Sequence, residues 1–173
     1  NSDMKAMPGA VDNMMDFMEN TAIQQGIGMI GPRLRGFDHE VQQTTFRFYT
    51  PFTILLRRTF LGNLPWFKKQ LDWFLMKDKN MNTTDSPQSV DWLMGAALLV
   101  TKKSVEKVGI MDERFFMYFE DMDWARRFWE SGFNVFYFPK AIMYHMHGRV
   151  SKKYGLFDVI FNKMTMMHIK SAL

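Results

Sequence analysis

The chain has 173 residues, 47% of them hydrophobic, with 17 Met, 17 Phe and no Cys. That length suits one domain able to bury roughly two-thirds of its unfolded surface. The lack of Cys excludes disulfide frameworks, thiol nucleophiles and thiolate zinc sites. The net charge is +4, no apolar run approaches the ~20 residues a bilayer crossing requires, and no signal-peptide series is present; the expectation is a soluble, cytoplasmic protein.

The elements follow from pattern and punctuation. Pro8 and Gly9 open a helix over 11–20, with Val11, Met14, Met15 and Met18 at helical spacing. The short apolar run 27–31, bounded by Gly and Pro32, predicts a buried strand. Residues 33–50 show no clear period and read as a surface excursion. A helix over 52–61 follows, started by Thr50 or Pro51 and stopped by Gly62. No element is assigned to 63–76, and 77–89, rich in Lys, Asn, Thr, Asp and Ser, reads as a mobile loop. The apolar run 90–100 predicts one buried strand with a bend or a close backbone approach at Gly95, leading into a short helix over 101–108 that ends at Gly109. A helix over 120–131 carries Trp124, Ala125, Phe128 and Trp129 on one face and stops at Gly132. Strands over 133–138 and 141–146 are split by Pro139 and Lys140, and an amphipathic tail closes the chain. The class is α/β, a mixed β-sheet flanked by helices.

Charge is blocked along the chain. Residues 33–79 hold nine Lys/Arg against four Asp/Glu and 140–173 hold six against one, whereas 109–130 hold six acids against three Arg. Such blocks are commonly just solvated faces, and an acidic centre between basic arms equally suits a site that receives an anionic ligand.

Three places concentrate reactive groups. Asn1 and Asp3 alternate on what reads either as a disordered N-terminus or as an extended segment, on which both can face one hard cation or a ribose. Glu120, Asp121 and Asp123 follow an aromatic run and open a helix, whose dipole favours the ionised carboxylate. An aspartate there serves as a helix cap or as a general base toward a hydroxyl. His145 and His147 alternate on a strand, where either is a core histidine or a metal ligand. No phosphate-cradling Gly-rich loop and no Ser-His-Asp order is present. The aromatics, 16% of the chain, lie in apolar runs that favour core packing over base stacking, so nucleic acid is not expected as a partner.

Taken together, Asn1-Ser2-Asp3, the Gly28–Leu34 run, Leu56-Arg57-Arg58-Thr59, the run from Val90 to Ala96, Gly109 through Asp123, and Ala141 through Gly148 resemble the C-terminal part of a family 2, GT-A type glycosyltransferase. The likeness is strongest to the bacterial rhamnosyltransferase-like branch that builds cell-surface polysaccharides. It implies that residues 1–148 form the C-terminal part of the catalytic domain and 149–173 a helical tail, with the nucleotide-binding half lying upstream. It also implies an inverting transfer of sugar from a nucleotide-diphosphate donor to a glycan or polyprenyl-diphosphate-linked acceptor, with Mn²⁺ or Mg²⁺ on Asp3 and His145, and His147 as substitute. Asp121 would be the base, with Glu120 and Asp123 orienting it or the acceptor, and Asn1, Asp91, Trp92, Gly95 and Ala96 would line the donor or acceptor. The basic stretch 47–79 and the tail 149–173 would favour peripheral contact with the inner face of the membrane, the tail equally reading as an ordinary helix packed on the domain. The alternatives are a non-catalytic remnant or interaction module of the same fold, and a divalent-metal hydrolase using Asp121, Asp123 and His145.

Overall fold

The computed structural model of the chain describes residues 3–22, 24–58, 60–115 and 119–146. Asn1, His147 and the tail 149–173 lie outside them.

A mixed sheet organises the molecule. Its long strands are β2, Ile27–Arg35, and β7, Asn134–His145, which run parallel. Strand β1, Met4–Ala6, pairs antiparallel with the C-terminal end of β7, setting Met4 opposite His145. Strand β6, Leu99–Val100, pairs antiparallel with β2, and β4, Gln88–Ser89, with β7. A separate two-stranded ribbon joins β3, Thr45–Phe46, to β5, Trp92–Leu93.

Alternation along β2 and β7 sends side chains into two cores, one on each face. On one side, helix α1, Ala10–Phe17, lays Ala10 and Met14 over Ile27, Ile30, Leu34, Phe138 and Met143. Gly9, at φ 75, makes the left-handed turn into this helix, and a π turn, Met18–Ala22, ends it. On the other side, Met29, Val135 and Tyr137 meet Trp92, Leu93 and helix α5, Glu120–Glu130, which buries Trp124, Ala125 and Phe128. Full burial of a side chain such as Phe128 contributes roughly 1.5–3 kcal/mol. Gly28 lets α5 and the following turn approach, since a Cβ there would meet Phe133 Cβ at 2.8 Å and Phe128 Cδ1 at 2.9 Å. Helix α4, Lys102–Val108, starts at Thr101, whose hydroxyl accepts from Ser104 N at 3.1 Å, and stops at Gly109, as its sequence predicts.

Four expectations are corrected. The run 90–100 is not one bent strand: β5 belongs to the ribbon and β6 to the main sheet, with the Gly95 loop between them. Conversely, 133–146 is one strand rather than two. Pro32 pairs with Phe138 and Arg33 with Ile142, so Pro139 and Lys140 sit in a bulge, where a missing N–H costs no ladder bond. The segment 77–89 is anchored: it begins with a 3₁₀ turn, Lys77–Lys79, buries Met81 and ends in β4. Buried Arg33 reaches it too, donating to Tyr137 Oη at 3.1 Å and to the Thr84 carbonyl, with Asp85 at 3.6 Å. Finally, helix α3, Pro65–Phe74, fills the unassigned 63–76 stretch. It forms a hairpin with α2, Pro51–Arg58, which ends before the predicted Leu61; a 3₁₀ turn, Phe60–Asn63, joins the two.

Candidate functional site

The β1–β7 register places Asp3 beside His145, from opposite ends of the described chain, and Met146 N donates to the Asp3 carbonyl at 2.9 Å. His145 Nε2 stands 3.4 Å from Asp3 Oδ2; the imidazole is buried and the carboxylate half-exposed. Gln42, from the excursion after β2, sets the ring. Its Nε2 donates to the His145 carbonyl at 2.8 Å, which fixes the amide orientation. Its Oε1, 3.0 Å from Nδ1, is then placed to accept from Nδ1–H. The ring consequently turns Nε2 toward Asp3; a metal-ligating histidine is commonly oriented in the same way, by a hydrogen bond at its other nitrogen.

A carboxylate facing an imidazole nitrogen suits a shared cation, either a proton on Nε2 or a metal ion. Their 3.4 Å separation allows one ion with bonds of about 2.1 Å to reach both. Among the described residues no group of three His, Cys, Asp or Glu gathers to hold an ion. Two protein donors with the other positions left to ligand oxygens and water is the arrangement that suits Mg²⁺ or Mn²⁺ on a phosphate. Asp3 and His145 could supply two donors to such an ion, one oxygen and one nitrogen.

Asp121 sits at the second position of α5, after Phe119 at φ 70 turns the chain into the helix. It is not the cap residue. Its Oδ2 accepts from Gly95 N at 2.9 Å and its Oδ1 from Met122 N at 2.8 Å. Burial is the largest influence on the carboxyl and pushes its pKa up to about 6, assisted by the charge of Glu120, while the Gly95 and Met122 N–H groups pull it down. Folding raises this pKa, so stability contributed through Asp121 is fully present below about pH 4 and is lost as pH rises through about 6. In urea titrations, the stability of the parent chain relative to Asp121→Asn is expected to fall by about 2 kcal/mol between pH 4 and pH 7. A pH-independent difference would contradict the assignment.

The remaining candidates divide by what they touch. Glu120 Oε2 is buried without a hydrogen-bond partner among the described residues. Asp123 pairs with Arg127 at 2.9 Å, and Arg127 also donates to the Val108 and Ile110 carbonyls, tying α5 to the end of α4. Asp91 accepts from Phe48 N at 2.8 Å and gives its carbonyl to Trp129 Nε1. Trp92 is 6% exposed, stacked on Phe46 at 4.4 Å, with its Nε1 donating to the Arg47 carbonyl. Both anchor the ribbon. Gly95 brings its backbone to Asp121; a Cβ there would lie 3.2 Å from Asp121 Cβ. Ala96 and Ala97 pack on the apolar cluster containing Leu34 and Met143. Met143 precedes His145 by two strand positions and shares its face, on the core covered by α1, whereas α5, which carries Asp121, packs on the core of the sheet's other face.

No protein-family profile matches the chain. Two curated sequences match 146 of its residues at 29% identity, each named N-acetylglucosaminyl-diphospho-decaprenol L-rhamnosyltransferase, from the CDC 1551 / Oshkosh and ATCC 25618 / H37Rv strains of Mycobacterium tuberculosis. The match takes in 84% of this chain and 45% of either relative, so the chain spans about half the length of the curated relatives it matches. This similarity, together with the mixed α/β sheet, supports a glycosyltransferase-like family.

Proposed function

We propose that the chain is the acceptor-side and metal-holding part of a GT-A type, family 2 glycosyltransferase that transfers a sugar from a nucleoside-diphosphate donor, with inversion. The acceptor would be a polyprenyl-diphosphate-linked sugar, the class in the relatives' name. The observation that carries this reading is the 3.4 Å approach of His145 to Asp3, with Gln42 directing Nε2 at the carboxylate.

In this mechanism Asp3 and His145 would hold Mg²⁺ or Mn²⁺, which when bound neutralises charge growing on the departing diphosphate. Asp121 accepts the proton of the acceptor hydroxyl as that oxygen bonds to the anomeric carbon and the bond to the diphosphate breaks. The Gly95 and Met122 N–H groups aim the carboxylate, and its raised pKa matches a base working near neutral pH. Glu120, next to the base in the chain and raising its pKa by charge, would orient the base or the acceptor. Asp123, held by Arg127, would steady the helix turn that carries the base.

The test uses a chain extended to the length of its relatives, a nucleoside-diphosphate L-rhamnose and polyprenyl-diphosphate-linked N-acetylglucosamine. Transfer that stops on chelation and returns with Mn²⁺ or Mg²⁺ is expected. Donor cleavage that ignores the acceptor would favour a hydrolase, and no turnover with intact partner binding would favour a non-catalytic module.

A further inference from the structure

Hairpin α2–α3 turns an apolar face inward and leaves an unusual row outward. Thr53, Leu56 and Phe74 are buried, whereas Trp66 is 84% exposed, Trp73 43% and Phe52 44%. Trp66 and Trp73 are seven residues apart and share one stripe of α3, with Lys69 between them and Lys68 alongside; both lysines are exposed. Phe52 reaches across the hairpin to Phe67, ring centroids 5.5 Å apart, extending the aromatic row at the end where Trp66 stands.

Charge on this element is one-sided. Residues 51–80 contain six Lys/Arg and two acids, Asp72 and Asp78. Lys77 pairs with Asp72 at 2.5 Å and Arg47 with Asp78 at 2.7 Å. Both acids are therefore paired, and among the described residues no acid pairs with Lys68 or Lys69 beside the tryptophans. A tryptophan so exposed gains little from water, and a flat helix combining Trp with Lys fits the headgroup layer, where indole and acyl boundary meet and anionic phosphates attract ammonium groups. Among the described residues no helix is long and apolar enough to cross a membrane, so the contact is a surface one.

We infer that the α2–α3 hairpin is a docking surface for an anionic phospholipid bilayer, with Trp66 and Trp73 seated in the interface and Lys68 and Lys69 on the lipid phosphates. Its evidence is independent of the transferase reading; its biological sense rests on it, since a polyprenyl-linked acceptor resides in a membrane.

The experiment is flotation of the full 173-residue chain with phosphatidylcholine vesicles, with and without phosphatidylglycerol. The parent chain is expected to float with the mixed vesicles and remain behind with phosphatidylcholine alone. Lys68→Gln with Lys69→Gln is expected to weaken binding roughly thirtyfold, and Trp66→Ala to weaken it by roughly tenfold or more. All these side chains are exposed, so thermal melts of the variants should match the parent, separating lost docking from lost fold. Failure of the parent chain to float, or variants that float as well as the parent, would overturn the inference. Because flotation needs no sugar nucleotide, such a failure leaves the transferase reading standing, and failure of the transfer assay leaves the docking surface standing.

Discussion

Asp121→Asn, in a chain of the relatives' full length, is expected to lower the rate of sugar transfer by about 10²–10⁴-fold while donor binding is kept. The variant retains the side chain's shape and one acceptor oxygen for the Gly95 and Met122 N–H groups. Losing the second acceptor is offset at neutral pH by removal of a half-buried charge, so the fold should persist. A second readout separates a base from a structural carboxylate. With a pKa of about 6, the parent enzyme should lose activity as pH falls through that value, because a protonated carboxyl cannot take the acceptor's proton. The residual activity of the variant should lack this acid limb. An unchanged limb would assign it to another group, and a variant with full activity would remove Asp121 from the chemistry.

How much of this site could be read from residues alone differs along the chain. Helices α1, α4 and α5 were legible because apolar spacing, Pro8, Thr101, Gly109 and Gly132 all agree with a single answer. The Asp3–His145 meeting was open from spacing alone: no local pattern specifies that residues so distant lie in one register, and only the resemblance implied a shared ion. Gln42 gave no signal, since it lies in a polar stretch without period and acts only through its place beside β7. The split of 90–100 was hidden for a related reason. A continuous apolar run records that both halves are covered but not that they pair with different sheets; at Gly95 the close backbone approach, one of the two readings the glycine allowed, is what is found, to Asp121. Trp92 looked like acceptor-lining material, yet stacking on Phe46 and a bond to the Arg47 carbonyl place it in the core. Helix α3 was missed because its tryptophans and lysines obscure the apolar period, although Pro65 at the first helical position marks its start.

The second large effect concerns the ion. His145→Ala is expected to abolish Mn²⁺ binding at Asp3, because a single half-exposed carboxylate holds a divalent ion weakly. Gln42→Ala keeps both donors but frees the ring and its tautomer, so binding should weaken roughly tenfold or more. If the pair were merely a protonated ion pair tying β1 to β7, His145→Ala would lower stability and Mn²⁺ would have no address there in the parent chain either.

The distinction can be read with the chain's own reporters. Met4 and Met146 adjoin Asp3 and His145 in sequence, and Met143 shares the His145 face of β7, whereas Met29, Met76 and Met81 lie in the core on the other face of the sheet. Mn²⁺ titrated into the chain labelled with ¹³C at its methionine methyls is expected to broaden Met4, Met143 and Met146 first, leave Met29, Met76 and Met81 sharp, and lose that selectivity in His145→Ala. Broadening centred on other methionines, or a selective pattern that survives His145→Ala, would contradict a cation site at Asp3 and His145.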